Sequence, residues 1–235
     1  MIALSKALAA VPLFSGLTHE QLEAVADCLQ RRSFDERQVI VRRNEPGDAL
    51  YIIASGKVKV SYPASNGNGD EGETILAVLS PSDFFGELAV LDGETRSADV
   101  IALEPTNLLM LTGADVSAII NRYPAIALAL LKQLAGRLRR STEWIRVLSS
   151  QDVYGRIAAQ LLYLAQTHGY DLPAGEGRLI RLRLTQNDLA SLVGASRESV
   201  NKAMGYFKNK GYISVDSTHH ITVHNEASLK KRSQQ

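Results

Sequence analysis

One run of sequence constrains the fold more than any other. From Pro124 to about Ser150 a helical period holds without a break. Read at a spacing of 3.5, its positions are Ala127, Leu131, Leu134, Leu138, Ser141, Ile145 and Leu148, an a/d seam of about three heptads. Two identical chains zipped along such a seam form a symmetric dimer. The alternative is a stripe that packs only on its own domain. The length of the segment and the arginines flanking the stripe favour the dimer. Ser141, with Thr142 beside it, is the polar slot of the seam. A hydroxyl there weakens a zipper unless something supplies it with a hydrogen bond.

Upstream of this helix the period is different. Thr18 and Gln21 have the spacing of a capping box before the apolar positions Leu22, Val25, Ala26 and Leu29. From about residue 31 the short runs "QVIVRR", "ALYIIAS", "KVKVSY", "TILAVL" and "RSADVIAL" are rich in β-branched residues and split by turn sequences. Strands this short and this closely spaced predict a compact antiparallel roll or barrel. The segment "ASNGNGDEGE" reads as an exposed hairpin tip. Downstream, a second helix follows Asp152, then a loop at "LPAGEG" and a strand at "RLIRLRL". The fold class is α+β, with domains over 1–123 and 151–235 joined by the seam helix at 124–150.

Charge separates the two halves. Residues 1–135 carry 11 Lys and Arg against 17 Asp and Glu, and residues 136–235 carry 15 against 8. An acidic half joined to a basic half points to two tasks, with nucleic acid a candidate partner for the second. The one cysteine, Cys28, leaves no disulfide framework and no cysteine-ligated cluster within the chain, and the apolar pattern predicts it on the buried face of a helix. No apolar run reaches the ~18 residues of a membrane span. The N-terminal "MIALSKALAAVPLF" lacks a basic leader region and runs on into helix. The expectation is a cytoplasmic protein with no membrane partner.

Two stretches carry chemistry. The first is "FFGELAVLDGETRSADV", which sets Glu87 and Arg96 around a short apolar turn beside glycine-freed backbone. A solvated ion pair on a surface loop and a pocket for a small anion both fit that pattern.

The second is "LTQNDLASLVGASRESVNKAMGYFKNKGYI". Thr185 caps a short helix, Gly194 supplies a tight turn, and Ser196 caps the next helix, whose buried stripe is Val200, Ala203, Met204 and Phe207. Arg197, Glu198, Asn201 and Lys202 fall on its opposite face near the N-terminus, where side chains read bases in the major groove. Arginine binds guanine bidentately, glutamate accepts from cytosine N4, and lysine reaches guanine or phosphate. The following hairpin, "YISVDSTHHITVH", has the form of a wing. Its His219, His220 and His224 lack the accompanying ligands of a metal site and read as solvated wing residues. No nucleophile–base–acid set and no metal constellation is present in the sequence, so an enzyme is not expected.

The order of β-roll, seam helix and winged helix-turn-helix resembles the CRP/FNR family of bacterial transcription regulators over nearly the whole chain. "FGELAVLDGETRSA" resembles the phosphate-binding cassette of its cyclic-nucleotide branch, and "LVGASRESVNKA" resembles the recognition helix of its cyclic-AMP-responsive members. The N-terminal cysteine cluster of the family's iron–sulfur oxygen sensors is missing. The resemblance implies a β-roll of the double-stranded jelly-roll type, and cyclic AMP, or another cyclic nucleotide, as effector. Arg96 and Ser97 would meet the cyclic phosphate with backbone amides near Gly86 and Ala98, and Glu87, beside Leu88, the ribose 2′-hydroxyl. Ser141 and Thr142 would meet the purine, in the order Ser-Thr where the best-known cyclic-AMP-responsive member has Thr-Ser. Thr185, Gln186, Ser196, Arg197, Glu198, Asn201 and Lys202 would contact a palindromic, TGTGA-like operator. A homodimer, double-stranded DNA and RNA polymerase are the implied partners. Control by cyclic di-GMP, or by no ligand, and a regulatory subunit that binds an enzyme instead of DNA are the competing readings.

Overall fold

The computed structural model describes residues 2–65 and 71–234. The chain forms two compact units, Met1–Arg139 and Arg140–Gln235, and the division falls inside one long helix. The tip of the predicted hairpin, residues 66–70, lies outside the described residues.

The first unit opens with α1 (Ile2–Ala9) and α2 (His19–Ala26). Thr18 and Gln21 form the expected capping box, each side chain meeting the other's backbone N–H. Eight strands follow: β1 (Gln30–Phe34), β2 (Val39–Val41), β3 (Ala49–Ser55), β4 (Val58–Ser65), β5 (Glu71–Leu79), β6 (Phe84–Phe85), β7 (Asp99–Ala102) and β8 (Thr106–Thr112). Between β6 and β7 lies the short helix α3 (Glu87–Asp92), and after β8 come α4 (Gly113–Arg122) and α5 (Ala125–Ser150).

The strands make two four-stranded antiparallel sheets, ordered β1-β8-β3-β6 and β2-β7-β4-β5. Neighbouring residues of β3 and β8 serve opposite faces, as the two-residue period requires. Ile53 and Leu108 pack with Val58, Phe85 and Val100 of the strands between the sheets. Ile52 and Leu109 turn the other way, into a cluster with Phe14 and Val25 near the N-terminus and Ile126 and Leu130 of α5.

Three of these strands are absent from the sequence expectation: β1, the two-residue β6 and β8. β1, "QRRSF", has four of five residues exposed because it is the edge of its sheet, so no alternation marks it. β8, "TNLLMLT", is built on leucine and methionine, which favour helix in isolation. It is a strand because its two neighbours, β1 and β3, supply ladder partners on both edges.

The long helix matches its predicted span to within a residue. One seam position is also partly buried within the first unit. Leu134 packs against the core of the first unit together with Ile126 and Leu130, at the four-residue spacing of one helix face. Leu131, Leu138, Ile145 and Leu148 remain exposed, with Leu138 at 69%, and Leu128 joins them.

The second unit contains the end of α5, then α6 (Val153–His168), β9 (Gly169–Asp171), β10 (Arg178–Ile180), α7 (Gln186–Val193), α8 (Arg197–Asn209), β11 (Ile213–Val215), β12 (Ile221–Val223) and α9 (Glu226–Arg232). The strand predicted through "RLIRLRL" stops at Ile180. Its strands order as β11-β12-β10-β9, all antiparallel. The core comes from Ile157, Leu161 and Leu164 of α6, Leu189 and Val193 of α7, and Val200, Met204 and Phe207 of α8. No single helix among the described residues is long and apolar enough to cross a membrane. None of their His, Cys, Asp and Glu side chains group as a metal site.

Candidate functional site

In the first unit the structure gathers the Glu87/Arg96 stretch around the start of α3. Gly86 is the N-cap of that helix at φ 83°, a left-handed conformation that glycine adopts without strain. Arg96 is 6% exposed. Its Nη1 donates to the Gly86 carbonyl at 2.9 Å and its Nη2 to the Ala49 carbonyl at 2.8 Å. The Arg96 backbone is tied down as well, its N–H to Glu45 O and its carbonyl to the Asn44 N–H, both at 2.9 Å. A methyl group on Gly47, or on Gly86, would overlap the guanidinium. Two glycines therefore leave the space that this side chain fills, and two carbonyls set its plane.

Glu87, the next residue after Gly86, is 4% exposed. Its Oε1 accepts from Nη1 of Arg137 on α5 at 2.6 Å. The same guanidinium donates through Nη2 to the Phe84 carbonyl and lies 4.6 Å from the centre of the Phe84 ring. A carboxylate this deeply buried needs a charged partner, since an isolated buried charge is very costly. Sequence reasoning missed Arg137. The only signal available was an arginine on the long helix one turn before the Ser141–Thr142 pair.

The remaining residues of the stretch divide by exposure. Ala98 is buried, whereas Ser97 and Leu88 are exposed. Ser141 and Thr142 are exposed on α5 and fall in the second unit.

The second unit holds the helix-turn-helix as its residues predicted. Thr185 caps α7 and forms a full capping box with Asp188. Gly194 ends α7 at φ 60°, and Ser196 caps α8 by accepting from the Ser199 N–H at 3.2 Å. Arg156 of α6, also unforeseen, braces the turn by donating from Nη1 to the Val193 and Gly194 carbonyls, each at 3.0 Å. Thr185, Gln186, Ser196, Arg197, Glu198, Asn201 and Lys202 are all exposed. Glu198 and Lys202 pair across one helical turn at 2.6 Å. The hydrogen bond and charge of Lys202 lower the Glu198 pKa from its ordinary value, and Glu198 raises that of Lys202 in return.

Comparison with known proteins agrees with this division. Residues 31–123 match the cyclic nucleotide-binding domain family and residues 155–232 the Crp-like helix-turn-helix domain family. The chain is 37% identical over 211 residues to the CRP-like cAMP-activated global transcriptional regulator of Mycobacterium tuberculosis, covering 89% of this chain and 91% of that protein. It is 36% identical over 202 residues to the cyclic AMP receptor protein of Thermus thermophilus, covering 86% and 88%. In fold it is similar to the c-di-GMP responsive global regulator CLP of Xanthomonas campestris, with TM-score 0.73 and 22% identity over 88% of this chain and 99% of that one. The chain belongs to the CRP family of transcription regulators, DNA-binding proteins without enzymatic activity that join a cyclic nucleotide-binding domain to a helix-turn-helix.

Proposed function

We propose that this regulator is a homodimer switched by a cyclic nucleotide, cyclic AMP foremost, that grips a palindromic TGTGA-like operator when liganded. The observation that carries the reading is the pair of arginines on adjacent residues of the α3 start: Arg96 on Gly86 and Arg137 on Glu87. A guanidinium has five N–H donors, and the two carbonyls account for two of them. Those left over suit a cyclic phosphate, with Ser97 and the backbone near Gly86 and Ala98 alongside. A carboxylate offers about four acceptor sites, so Glu87 can accept from a ribose hydroxyl while keeping Arg137. Leu88 flanks that sugar.

Through Arg137, occupancy of the cradle bears on α5. Exposed Leu131, Leu138 and Ile145 on that helix form the dimer seam, and Ser141 and Thr142 beside them take the purine edge. The nucleotide acts by its different affinity for two arrangements of the seam. In the favoured arrangement the two copies of α8 are spaced ~34 Å apart for successive major grooves. There Arg197 and Glu198 read the G·C pairs of each half-site, Asn201 and Lys202 lie beside them, and Thr185, Gln186 and Ser196 contact the backbone. The RNA polymerase partner and the cytoplasmic location belong to the same reading.

The test is calorimetric titration of the purified protein with cyclic AMP, cyclic GMP and cyclic di-GMP, followed by selection of DNA from a randomised duplex library with each ligand. Tight cyclic AMP binding and a selected palindrome with TGTGA-like arms support the proposal. Binding of cyclic di-GMP alone, or equal selection without ligand, transfers control to the competing readings.

A further inference from the structure

The end of α9 lies against the joint between α5 and α6. Only Gln151 and Asp152 separate those two helices, and the Gln151 N–H still bonds back to the Val147 carbonyl at 3.0 Å. Asp152 is the N-cap of α6, its Oδ1 accepting from the Gly155 N–H at 2.8 Å. Its other oxygen, Oδ2, accepts from Nη2 of Arg232, 80 residues further along the chain on α9. Gly155 keeps this corner open: a Cβ there would lie 2.5 Å from Gln151 Oε1 and 3.4 Å from the Arg232 carbonyl oxygen. Arg156, the other cation that bears on Asp152, is committed to the Val193 and Gly194 carbonyls.

The same guanidinium faces a ring. Its carbon lies 5.6 Å from the centre of Tyr154, the second residue of α6, within reach of a cation–π contact. Tyr154 in turn meets Tyr206 and Phe207 of α8 edge-on, with ring centres 5.5 and 6.2 Å apart. Tyr206 stands one helical turn beyond Lys202, on the helix whose opening turns carry Arg197, Glu198 and Asn201. One side chain therefore touches both the joint where α5 gives way to α6 and the aromatic contact that seats α8. Nor is that side chain needed to anchor α9, because Leu229 is wholly buried and Asn225 caps the helix on the Ser228 N–H at 2.9 Å.

We infer that Arg232 is a positioning residue for DNA recognition: it ties the α5–α6 joint to the aromatic seat of α8, so that a change in the seam helix reaches the base-reading side chains. The inference rests on the nucleotide-switched reading and names the side chain that carries the switch within the second unit. Its two ties differ in chemistry. The bond to Asp152 needs opposite charges, and the contact with Tyr154 needs a flat cation against a ring. Removing Arg232 leaves α6 its cap on Gly155 but frees the joint from α8. Energetic coupling passes through packed side chains and ion pairs of this kind, and measured coupling is what establishes it.

The experiment measures operator affinity of the full-length protein with and without saturating cyclic AMP, and cyclic AMP affinity with and without operator. Wild type is compared with Arg232→Met, Arg232→Lys, Asp152→Asn and the double variant of Arg232→Met with Asp152→Asn. Asparagine keeps the cap of α6 but not the ion pair. Arg232→Met is expected to shrink the ratio of liganded to unliganded operator affinity by roughly two- to fivefold per protomer, the range of a partly exposed ion pair. The factor by which operator raises cyclic AMP affinity should fall equally, because coupling is reciprocal. Cyclic AMP affinity without DNA and the selected operator sequence should stay as in wild type. Arg232→Lys, which keeps the charge, should restore part of the ratio, and the double variant should lose no more than Arg232→Met alone. Variants that lose stability in urea but keep the wild-type ratio would make Arg232 a packing residue only and overturn the inference. Should Arg232→Met fail to fold, an unchanged ratio in Asp152→Asn overturns it in the same way. A wild type whose operator affinity is equal with and without cyclic AMP overturns the switch itself, and the inference falls with it.

Discussion

The Glu87 carboxylate and the Arg137 guanidinium, 50 residues apart in sequence, meet at 2.6 Å at the start of α3. Glu87 is almost fully buried and Arg137 is largely so, which makes the pair expensive to break from one side. Arg137→Met is expected to destabilise the first unit by about 3 kcal/mol, since it leaves a buried carboxylate unpaired. Adding Glu87→Gln to it should recover most of that loss. Urea denaturation of the wild type, both single variants and the double variant measures the coupling, and strictly additive losses would show that the pair contributes nothing.

Arg96→Ala removes the group proposed to hold the phosphate together with two hydrogen bonds to carbonyls. Cyclic AMP affinity is expected to fall by roughly a hundredfold or more, the scale of losing a charge-assisted, two-point contact. The protein should remain a folded dimer by sedimentation. Unchanged affinity by calorimetry would remove Arg96 from the pocket.

Gly47→Ala tests the same cradle without touching a charged group. The added methyl overlaps the Arg96 guanidinium, which must then shift from the position in which it meets the Gly86 and Ala49 carbonyls. Nucleotide affinity should drop by about tenfold, the equivalent of one hydrogen bond to a charged group. An affinity equal to wild type would mean that the precise placement of Arg96 is irrelevant to the ligand.

On α8, Glu198 and Lys202 form an exposed pair that lowers the Glu198 pKa. Because the folded-state pKa lies below the unfolded one, whatever the pair contributes is present above the ordinary carboxylate range and is lost as the pH falls through the lowered value. An NMR titration should place the Glu198 midpoint below 4.5, the ordinary value, and Lys202→Gln should bring it back up. In DNA selection, Glu198→Ala should relax discrimination at one base pair by roughly ten- to a hundredfold. An unchanged selected motif would exclude Glu198 from base reading.

How far the fold was legible depended on whether a local pattern matched the environment a segment ends in. The helix-turn-helix was read almost completely, because Thr185, Gly194 and Ser196 punctuate it and Val200, Ala203, Met204 and Phe207 alternate with charged residues at helical period. β8 was not legible. Its leucines carry no strand preference of their own, and only the ladders to β1 and β3 hold them extended. The long helix was legible in length but not fully in orientation. Leu134 satisfies a heptad as well as its neighbours do, and Ile126 and Leu130 on the same face bring it partly against the core of the first unit.

The candidate site shows the same limit. Glu87 and Arg96 stood out because charged residues interrupt an apolar stretch beside glycines. Arg137 sits among other arginines on α5 and Arg156 is the one arginine of α6, and nothing local distinguishes an arginine that reaches into a neighbouring element from one that is solvated. Their partners, Glu87 and the Val193 and Gly194 carbonyls, are distant in sequence and close only after folding.

The central claim is that a small nucleotide held near Glu87 and Arg96 alters how two joined chains hold a duplex. Fluorescence anisotropy on the selected operator, with and without saturating cyclic AMP, addresses it most directly. The account predicts an affinity at least tenfold higher with the nucleotide, a coupling of about 1.4 kcal/mol within the usual allosteric range. Identical affinities in the two titrations, with calorimetry showing the nucleotide bound, would contradict it.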